Sequence, residues 1–366
     1  MQSKFGKIKA WFEKYEAYIS TGSLLLGFAI DNLTLKRIDL PFENIVLFTY
    51  LAISAIGITL INLYDTGKLH EKLIEKTRFL LPHIVQFAFG GLFSGFFVFY
   101  SRSASFFTSW PFLVLLLVIM VGGERFKHYY LRIGFQVGVL YIALFSFSIF
   151  YIPVLTGKMG VWTFLLSGLS SLVIIALFLR FLLQIVPDVI KKNKRIIGCA
   201  VGGAFFLINI FYFANILPPI PLALKDGGIY HSLVKRDGEY WVKEERGNWN
   251  KFFSRYDVIH LSPGASLYAY SSVFAPTNLN TNIVHNWQYF DKQNDKWVSA
   301  SRIIFPIVGG RDGGYRGYSW KSSLFPALWR VDVETLSGQI IGRIKFRIEI
   351  SGATLQESQF RWVEGK

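Results

Sequence analysis

Long apolar runs fill the first 217 residues of the chain and limit what it can fold into. A helix that crosses the ~30 Å hydrocarbon core of a bilayer needs about 20 mostly apolar residues. Runs of about this length lie at 15–33, 43–64, 79–100, 109–123, 131–154, 161–186 and 196–217. The sequence therefore predicts an α-helical multi-pass membrane region with about seven spans. Asp31 interrupts the first run and the fourth is short, so either could instead be re-entrant or interfacial.

Composition and charge distribution agree with a membrane protein and argue against a nucleic-acid partner. Hydrophobic residues make up 52% and charged residues 17% of the 366 residues, and the mean hydropathy of +0.36 is high for a soluble domain. The net charge is +15, but Lys and Arg concentrate in alternate segments, at 4–14, 68–78, 125–132 and 191–195. Cytoplasmic loops of membrane proteins accumulate these residues. We therefore expect a cytoplasmic (inner) membrane protein with a cytoplasmic amino terminus, with the lipid bilayer as its partner. Seven crossings would make the domain after Pro218 periplasmic or otherwise extracytoplasmic.

Three ionisable residues, Asp31, His83 and Arg180, lie at or near bilayer depth in the predicted spans. Intramembrane ionisable residues are functional candidates by default. However, Asp31 and Arg180 lie near span ends, where a long side chain can reach the interface, and His83 is one turn from the cytoplasmic edge.

Before the first span, a basic segment with apolar residues at helical spacing predicts an amphipathic interfacial helix, or else a solvated end of span one.

The composition of the chain changes at 218–228, where Pro218, Pro219 and Pro221 end the last apolar run. These prolines predict a stiff linker. The linker would join a membrane domain at 1–217 to a second domain at 229–366. From 229 onward, apolar and polar residues alternate with period two between frequent turn residues. This pattern is typical of an all-β antiparallel sandwich, immunoglobulin-like or jelly-roll-like. Strands are expected at 239–245, 254–261, 265–275, 281–291, 296–308 and 316–323. The single cysteine, Cys199, lies in the last span, so the exported domain depends on its core rather than on disulfides.

The hairpin at 329–350 can be predicted to the level of register. A two-residue turn at Ser337 and Gly338 fixes which residues face each other. The predicted partners are Trp329 with Phe346, Val331 with Ile344 and Val333 with Gly342 on one side, and Asp332 with Arg343 on the other. One side is apolar and the other charged, so a one-residue slip would exchange core and solvent faces.

A glycine-rich stretch, GGRDGGYRGYS at 309–319, is the main candidate for ligand binding. It lacks the spacing of a P-loop or a dinucleotide-binding motif, so nucleotide binding is unsupported. Arg311 and Arg316 offer fixed cations, Asp312 an acceptor, and Tyr315 and Tyr318 flat stacking surfaces, a set that suits a sugar, a carboxylate or a phosphate-bearing head group. The favoured alternative is structural, because glycines permit a tight corner and an aspartate can cap a turn.

A second candidate is the row formed by His285 and Trp287, which point the same way on a predicted strand. Such a row can be a sugar platform or half of a sandwich core, and the core is favoured because aromatic residues dominate cores. His285 would then be a hydrogen-bonded internal histidine. The exported histidines lack metal-ligand spacing and the chain has no nucleophile-elbow motif, so we predict no catalytic residue, metal or cofactor.

Five separated sequence blocks of the second domain occur in order: PPIPLALKDGGIYH at 218–231, SVFAPT at 272–277, HNWQYF at 285–290, GGRDGGYRGYSWK at 309–321, and WRVDVET with GQIIGRIKF at 329–346. Together they resemble the bacterial domain-of-unknown-function family twenty-nine fourteen. The resemblance covers roughly 220–350 and implies a domain that often ends a polytopic membrane region, but it implies no activity. The all-β module, its Arg, Tyr and Trp residues and the lack of a catalytic signature instead predict a membrane protein that displays a β-sandwich to bind an envelope component: a glycan, an anionic head group or a protein. The alternative is a transporter or flippase in which the β domain is a gate or an assembly surface.

Overall fold

The computed structural model describes most of the chain as two compact units. The described residues are 28, 31, 41–68, 81–103, 106–125, 132–218, 221–237, 239–245, 256–276, 279–308, 314–351 and 360–364. One unit comprises 1–101, 110–152 and 161–214, and the other 102–109, 153–160 and 215–366. The predicted amphipathic segment and the first predicted span lie outside the described residues, except Phe28 and Asp31, which are helical.

The first unit is built from apolar helices. Those described are α1 (Pro41–Asp65), α2 (Leu81–Ser103), α3 (Phe106–Arg125), α4 (Ile133–Thr156), α5 (Val161–Ile185) and α6 (Pro187–Phe213). Five are long and apolar enough to cross a membrane, and α3 contains a shorter apolar stretch, Ser109–Met120. Within the part of the chain that the structure describes, the span count is therefore about five to six, not the predicted seven. The first predicted span, 15–33, lies outside the described residues except for Phe28 and Asp31, and the run at 109–123 contributes only the shorter apolar stretch of α3.

The last helix begins earlier than predicted. It was expected at 196–217 but runs from Pro187 to Phe213, with Val186 alone between it and α5. Proline suits the first turn of a helix, where its missing N–H has no intrahelical partner to lose. The basic residues at 191–195, expected in a loop, consequently occupy the first turns of α6, where most are exposed.

Aromatic stacking joins the last three helices. Phe164, near the start of α5, stacks on Tyr212, near the end of α6, with ring centroids 3.7 Å apart. Phe145 of α4 stacks on Phe164 at 5.6 Å and on Phe205 of α6 at 5.9 Å. Contact between the start of one helix and the end of the next makes α5 and α6 antiparallel neighbours.

The C-terminal region forms mostly antiparallel β-sheets, as predicted. Its described strands are β1 (Ala223–Tyr230), β2 (Ser232–Arg236), β3 (Glu239–Glu245), β4 (Asp257–Leu261), β5 (Leu267–Phe274), β6 (Asn280–Asp291), β7 (Lys296–Val308), β8 (Tyr315–Lys321), β9 (Leu328–Thr335), β10 (Ile340–Ile350) and β11 (Phe360–Glu364). They form a three-stranded sheet β1-β5-β8, a five-stranded sheet β4-β10-β9-β6-β7 and a small sheet β11-β3-β2. Only the β4–β10 pair is parallel among the described pairs.

The three-stranded and five-stranded sheets pack face to face as a sandwich. Leu267 and Ala269 of β5 meet Trp287, Trp329 and Phe346 of the five-stranded sheet in one buried cluster. A second cluster places Val273 of β5 with residues of β6, β7 and β9, namely Ile283, Ile307 and Val333. The core therefore lies between the two sheets, and alternate residues of each strand face it.

The predicted hairpin register is confirmed, although its turn differs. The observed pairs include Trp329 with Phe346, Val331 with Ile344, Val333 with Gly342 and Asp332 with Arg343. The Arg343 guanidinium donates to both Asp332 carboxylate oxygens, at 2.6 and 2.9 Å. The turn, however, has three residues, 336–338, because the Thr335 N–H donates to the Gln339 carbonyl. Gly338 takes a φ of 86°, and a bulge after Ile340 restores the register.

Strand positions were predicted well except at the ends of the domain. Strands β3 and β7 have the predicted bounds, but β1 begins at Ala223, inside the segment predicted as a linker. Gly227 and Gly228 suggest a loop from sequence alone. In the fold, a Cβ on Gly227 would lie 3.1 Å from Ile344 Cδ1 and 3.3 Å from the Tyr270 carbonyl oxygen. Close packing, rather than a turn, therefore accounts for a glycine at that position.

Candidate functional site

An aromatic surface covers the outward side of the three-stranded sheet. Leu267, Ala269 and Ile229 pack in the core, so the residues that alternate with them point away from it. The outward aromatic residues are Tyr230 of β1, Tyr268 and Tyr270 of β5, and Tyr318 and Trp320 of β8. We call these five residues the aromatic face.

Strand register arranges the aromatic face in rows. Tyr268 lies directly between Tyr230 and Trp320, and Tyr270 lies beside Tyr318. The next row along the same strands is polar and contains Asp226, Ser272 and Arg316. Flat rings thus adjoin hydrogen-bonding groups on one side of a single sheet.

The exposed part of the aromatic face lies on β8. Trp320 is 58% exposed and Tyr318 45% exposed, whereas Tyr270 is fully buried. Tyr240 of β3 covers Tyr270, with ring centroids 5.7 Å apart, and also lies 6.1 Å from the Tyr318 ring. Tyr268 and Tyr318 are 6.4 Å apart. Tyr318 is therefore held by contacts with the rings of Tyr240 and Tyr268.

Charges beside the aromatic face occur with both signs. Arg316 of β8 forms an ion pair with Glu239 of β3. The Lys235 ammonium lies 5.5 Å from the centroid of the Tyr240 ring, a cation–π distance. Burial, followed by the nearby carboxylates of Asp226, Glu244 and Asp257, raises the pKa of Tyr230 to about 12. Tyr230 is therefore a neutral phenol near pH 7, able to donate and accept hydrogen bonds.

The glycine-rich stretch is only partly described. Arg311 and Asp312 lie outside the described residues. Tyr315 packs against the core cluster around Val273, Arg316 pairs with Glu239, and Tyr318 is exposed on the aromatic face. Three of the predicted residues thus lie on strand β8 rather than in a loop: Tyr315, Arg316 and Tyr318.

Two glycines of the same stretch are fixed by their surroundings. Gly314 has a φ of 86°, and a Cβ there would lie 2.6 Å from Ser272 Oγ and 2.9 Å from the Val273 carbonyl carbon. A Cβ on Gly317 would lie 2.3 Å from the ring of Phe305 on β7. These glycines admit close neighbours at the start and middle of β8, in agreement with the structural interpretation of the stretch.

The other predicted pair, His285 and Trp287, is completely buried between the sheets. His285 Nε2 lies 2.7 Å from Ser271 Oγ of β5, and its Nδ1 lies 2.8 Å from Ser319 Oγ of β8. The Trp287 indole N–H donates to the same Ser319 oxygen at 2.9 Å. These four side chains form a polar network across the sandwich core, which we call the core network.

Burial decides the charge of His285. It lowers the pKa of this imidazole to about 3, so the ring is neutral at physiological pH. Every polar atom of the network is satisfied when Ser319 donates to Nδ1 and the imidazole Nε2–H donates to Ser271. His285 and Trp287 consequently lie away from the open surface that holds Tyr318, and a ligand on the aromatic face would not touch them.

The three predicted intramembrane residues lie on separate segments. Asp31 is half-buried, within interaction distance of Ser94 of α2 and Tyr50 of α1. His83 is half-buried in the first turn of α2, and Arg180 is exposed in α5, five residues before that helix ends. Their functional role stays a prediction.

The sequence did not reveal that two histidines of the β domain meet on one carboxylate. His231 Nε2 and His260 Nδ1 each lie 2.9 Å from a carboxylate oxygen of Glu245, which also accepts the His260 backbone N–H at 2.8 Å. Burial alone would raise the pKa of Glu245, but the hydrogen bonds from both histidines outweigh it and lower the pKa. Among the described residues, no group of three His, Cys, Asp or Glu side chains is arranged to hold a metal ion.

Trp320 is the other residue that sequence reasoning missed. The signal was present in YRGYSW, because Arg316, Tyr318 and Trp320 alternate with Gly317 and Ser319. That alternation predicts two opposite sides for β8, with Arg316, Tyr318 and Trp320 together on one of them.

Comparisons with solved structures show only weak similarity. A β-glucosidase from Listeria innocua in complex with gluconolactone is 13% identical, with a TM-score of 0.19, and the match covers 31% of this chain and 16% of the glucosidase. An alkylpurine DNA glycosylase from Pseudomonas fluorescens, bound to DNA containing an abasic site analog, is 10% identical, with a TM-score of 0.23 and coverage of 84% and 99%. The chain thus matches only a small part of the glucosidase, and TM-scores this low support no structural argument. A search of curated proteins finds no significant match.

A family model matches residues that include β8 and three of the four core-network side chains, His285, Trp287 and Ser319. The matched residues, 280–348, contain β6 to β9 and most of β10. The first two sequence blocks, at 218–231 and 272–277, lie outside this match. Residues 280–348 match the family described as "Protein of unknown function (DUF2914)", which confirms the resemblance inferred from the sequence.

Proposed function

We propose that this multi-pass membrane protein displays its β domain on the extracytoplasmic side of a bacterial inner membrane, where the aromatic face binds an envelope component. The candidates are a glycan, an anionic lipid head group or another protein. The observation that carries the proposal is the pair of neighbouring exposed rings on β8, Trp320 and Tyr318. Large aromatic side chains exposed together on a sheet mark interaction surfaces more often than isolated ones do.

The distribution of charge around α6 supports the proposed orientation. Lys191, Lys192, Lys194 and Arg195 precede its apolar part. Its other end, Phe213, is followed by a segment with no Lys or Arg before Lys225. The positive-inside rule then places the start of α6 in the cytoplasm and the β domain outside. This argument uses α6 alone, so it does not depend on the corrected span count.

Binding of full-length protein to an envelope fraction tests the proposal. The protein would be reconstituted into nanodiscs of zwitterionic lipid and incubated with isolated envelope material, and the bound fraction compared between the native chain and Trp320→Ala. We expect Trp320→Ala to lose most of the binding. The matched control is Trp362→Ala, which removes another exposed tryptophan of the same domain. Equal binding by native protein and Trp320→Ala would contradict a role for the aromatic face.

The second candidate is a transporter or flippase. A specific contact favours it: the Asn62 amide of α1 donates to the Gln136 amide oxygen of α4 at 2.9 Å, and both side chains are buried among apolar helices. Buried polar pairs within membrane helices often mark a substrate path, although they also join helices. Solute or lipid movement in reconstituted vesicles separates the two functions, because a binding protein should move neither, and Asn62→Leu should abolish movement if the pair serves transport.

A further inference from the structure

We infer that the aromatic face binds a neutral glycan, stacked along β8 on Tyr318 and Trp320. This inference rests on the proposed function and names the chemical class of its ligand. It follows from three properties of the surface: the spacing of its exposed rings, the pairing of its charges and the rigidity of its floor.

The spacing of the rings suits a linear ligand made of repeated flat units. Tyr318 and Trp320 are two residues apart on one strand, so their Cα atoms are separated by roughly 7 Å and their side chains stand on the same side. Tyr268, beside Trp320 on the next strand, widens the surface. Sugar rings present apolar C–H faces to aromatic rings and hydroxyl groups at their edges. Successive sugars could therefore stack on successive rings.

The charges beside these rings favour a neutral ligand over an anionic one. An anionic head group requires a cation whose charge is not already compensated. Arg316, the cation nearest in sequence to Tyr318, is paired with Glu239. Lys321, the residue after Trp320, lies on the opposite side of β8, where its ammonium donates to Ser301 Oγ at 2.6 Å. The Lys235 ammonium, on β2, makes a cation–π contact with Tyr240, and the Asp226 carboxylate adds negative charge to the polar row. An ion-paired side chain such as Arg316 can exchange hydrogen bonds with hydroxyl groups without selecting a charge.

Rigidity distinguishes this surface from a flexible hydrophobic patch. The buried Tyr270 ring packs between Tyr230, at 6.5 Å, and Tyr240, at 5.7 Å. Tyr240 in turn contacts Tyr318. Little side-chain entropy is then lost when a ligand orders Tyr318, which favours binding of a ligand that makes few contacts. A protein partner would require a much larger complementary area.

Titration with defined oligosaccharides tests the inference. Full-length protein in zwitterionic nanodiscs would be titrated by calorimetry with cellohexaose, maltohexaose and N-acetylated chitohexaose, which are neutral. Two anionic probes, hexagalacturonate and vesicles rich in phosphatidylglycerol, would be titrated in parallel. We expect at least one neutral hexasaccharide to bind and both anionic probes to bind at least tenfold more weakly.

Variants of β8 then locate the site. Trp320→Ala and Tyr318→Ala should each weaken binding of that hexasaccharide at least tenfold, and Trp320→Tyr should restore most of it because a ring is retained. Trp362→Ala should bind like the native chain. Trp362 lies opposite Lys243 of β3, and strand alternation places Lys243 on the other side of that strand from Tyr240. Circular dichroism and protease resistance of each variant would confirm that the domain is folded.

The outcomes separate this inference from the proposed function. If envelope binding depends on Trp320 but no neutral hexasaccharide binds, the ligand is not a neutral glycan, while the aromatic face remains a binding site. Preference for the anionic probes, or loss of envelope binding after protease treatment of the envelope, would overturn the inference in favour of a head group or a protein. If Trp320→Ala leaves envelope binding unchanged, both the inference and the proposed function are wrong.

Discussion

The two sides of β8 use similar residues for opposite purposes. On the inner side, Ser319 joins His285 and Trp287 in the core network, where every ring nitrogen has a hydrogen-bond partner within 3 Å. On the outer side, Tyr318 and Trp320 are exposed beside an ion pair. Both sides thus combine aromatic rings with polar groups, but only the outer one is open to a ligand.

This difference shows that aromatic content does not identify a binding surface in a sandwich domain. The His285 and Trp287 row resembles a sugar platform in sequence, yet the opposing sheet supplies Ser271 and Ser319 to cover it. Accessibility depends on which side of a sheet is covered, and that is a property of the tertiary structure. Substitutions that are matched across the two sides should therefore have different effects.

The largest difference is expected between two tryptophans. Trp287→Ala removes a completely buried side chain and should lower the free energy of unfolding of the β domain by about 3–5 kcal/mol. Trp320→Ala removes an exposed one and should change it by less than about 0.5 kcal/mol. Denaturant unfolding of the full-length protein in detergent, followed by pulse proteolysis of the β domain, would measure both.

The two tryptophan variants also differ in their effect on binding. Trp320→Ala should lose envelope binding while keeping native stability, whereas Trp287→Ala, at temperatures where it remains folded, should still bind. Similar losses of stability in both variants would show that the exposed rings on the outer side of β8 also stabilise the fold. The inner and outer sides of β8 would then not differ in function.

A smaller effect is expected for the serine shared by the core network. Ser319→Ala leaves the Trp287 N–H and His285 Nδ1 without their common partner. Because one hydroxyl serves both groups, its loss should lower the free energy of unfolding by about 1–3 kcal/mol. The matched control is Ser322→Ala, at an exposed position one residue beyond β8. Equal unfolding midpoints for the two variants would indicate that the network contributes no stability.

The pH dependence of stability should report on His285. Its pKa is about 3 in the folded domain and 6.5 ordinarily. Between pH 6.5 and pH 3, the His285 imidazole is protonated in the unfolded chain but stays neutral in the folded domain. The stability contributed by the neutral ring is therefore complete above pH 6.5 and falls as the pH decreases toward 3, by about 1.4 kcal/mol per unit.

Comparison with His285→Asn isolates this effect from other titrating groups. The native chain should lose about 2 kcal/mol more stability between pH 6.5 and 5 than His285→Asn does. Glu245, whose pKa is lowered, loses its contribution at more acidic pH and is present in both proteins. Parallel pH profiles for the two proteins would mean that His285 can be protonated within the fold.

Local sequence patterns were sufficient to predict much of this β domain. The register of β9 and β10 followed from alternation, because a slip would turn Asp332 toward the apolar core between the sheets and Val331 away from it, and the observed pairs agree. The turn length was not predictable in the same way, since a bulge after Ile340 compensates for the third turn residue. A bulge keeps the distant register unchanged and leaves little trace in the sequence.

Contacts between distant segments could not be predicted. Glu245, His231 and His260 come from separate strands and loops, and nothing in their spacing shows that they meet. The same applies to Tyr240, which covers Tyr270 although 29 intervening residues separate them in the sequence. In the helical unit, the run at 109–123 was counted as a full span, but α3 has only a shorter apolar stretch, Ser109–Met120.

The smallest effect is expected for the ion pair on the outer side of β8. Arg316 and Glu239 connect β8 to β3, but the Glu239 side chain is 46% exposed. Partly exposed ion pairs stabilise proteins by about 0.2–1 kcal/mol. A double-mutant cycle with Arg316→Met and Glu239→Gln should give a coupling energy in this range, and the coupling should decrease from 50 mM to 500 mM salt. A salt-insensitive coupling above about 2 kcal/mol would instead show that the pair holds the two sheets together. Arg316 would then belong with Ser319 among the residues that maintain the fold, and the distinction between the two sides of β8 would apply only to its aromatic residues.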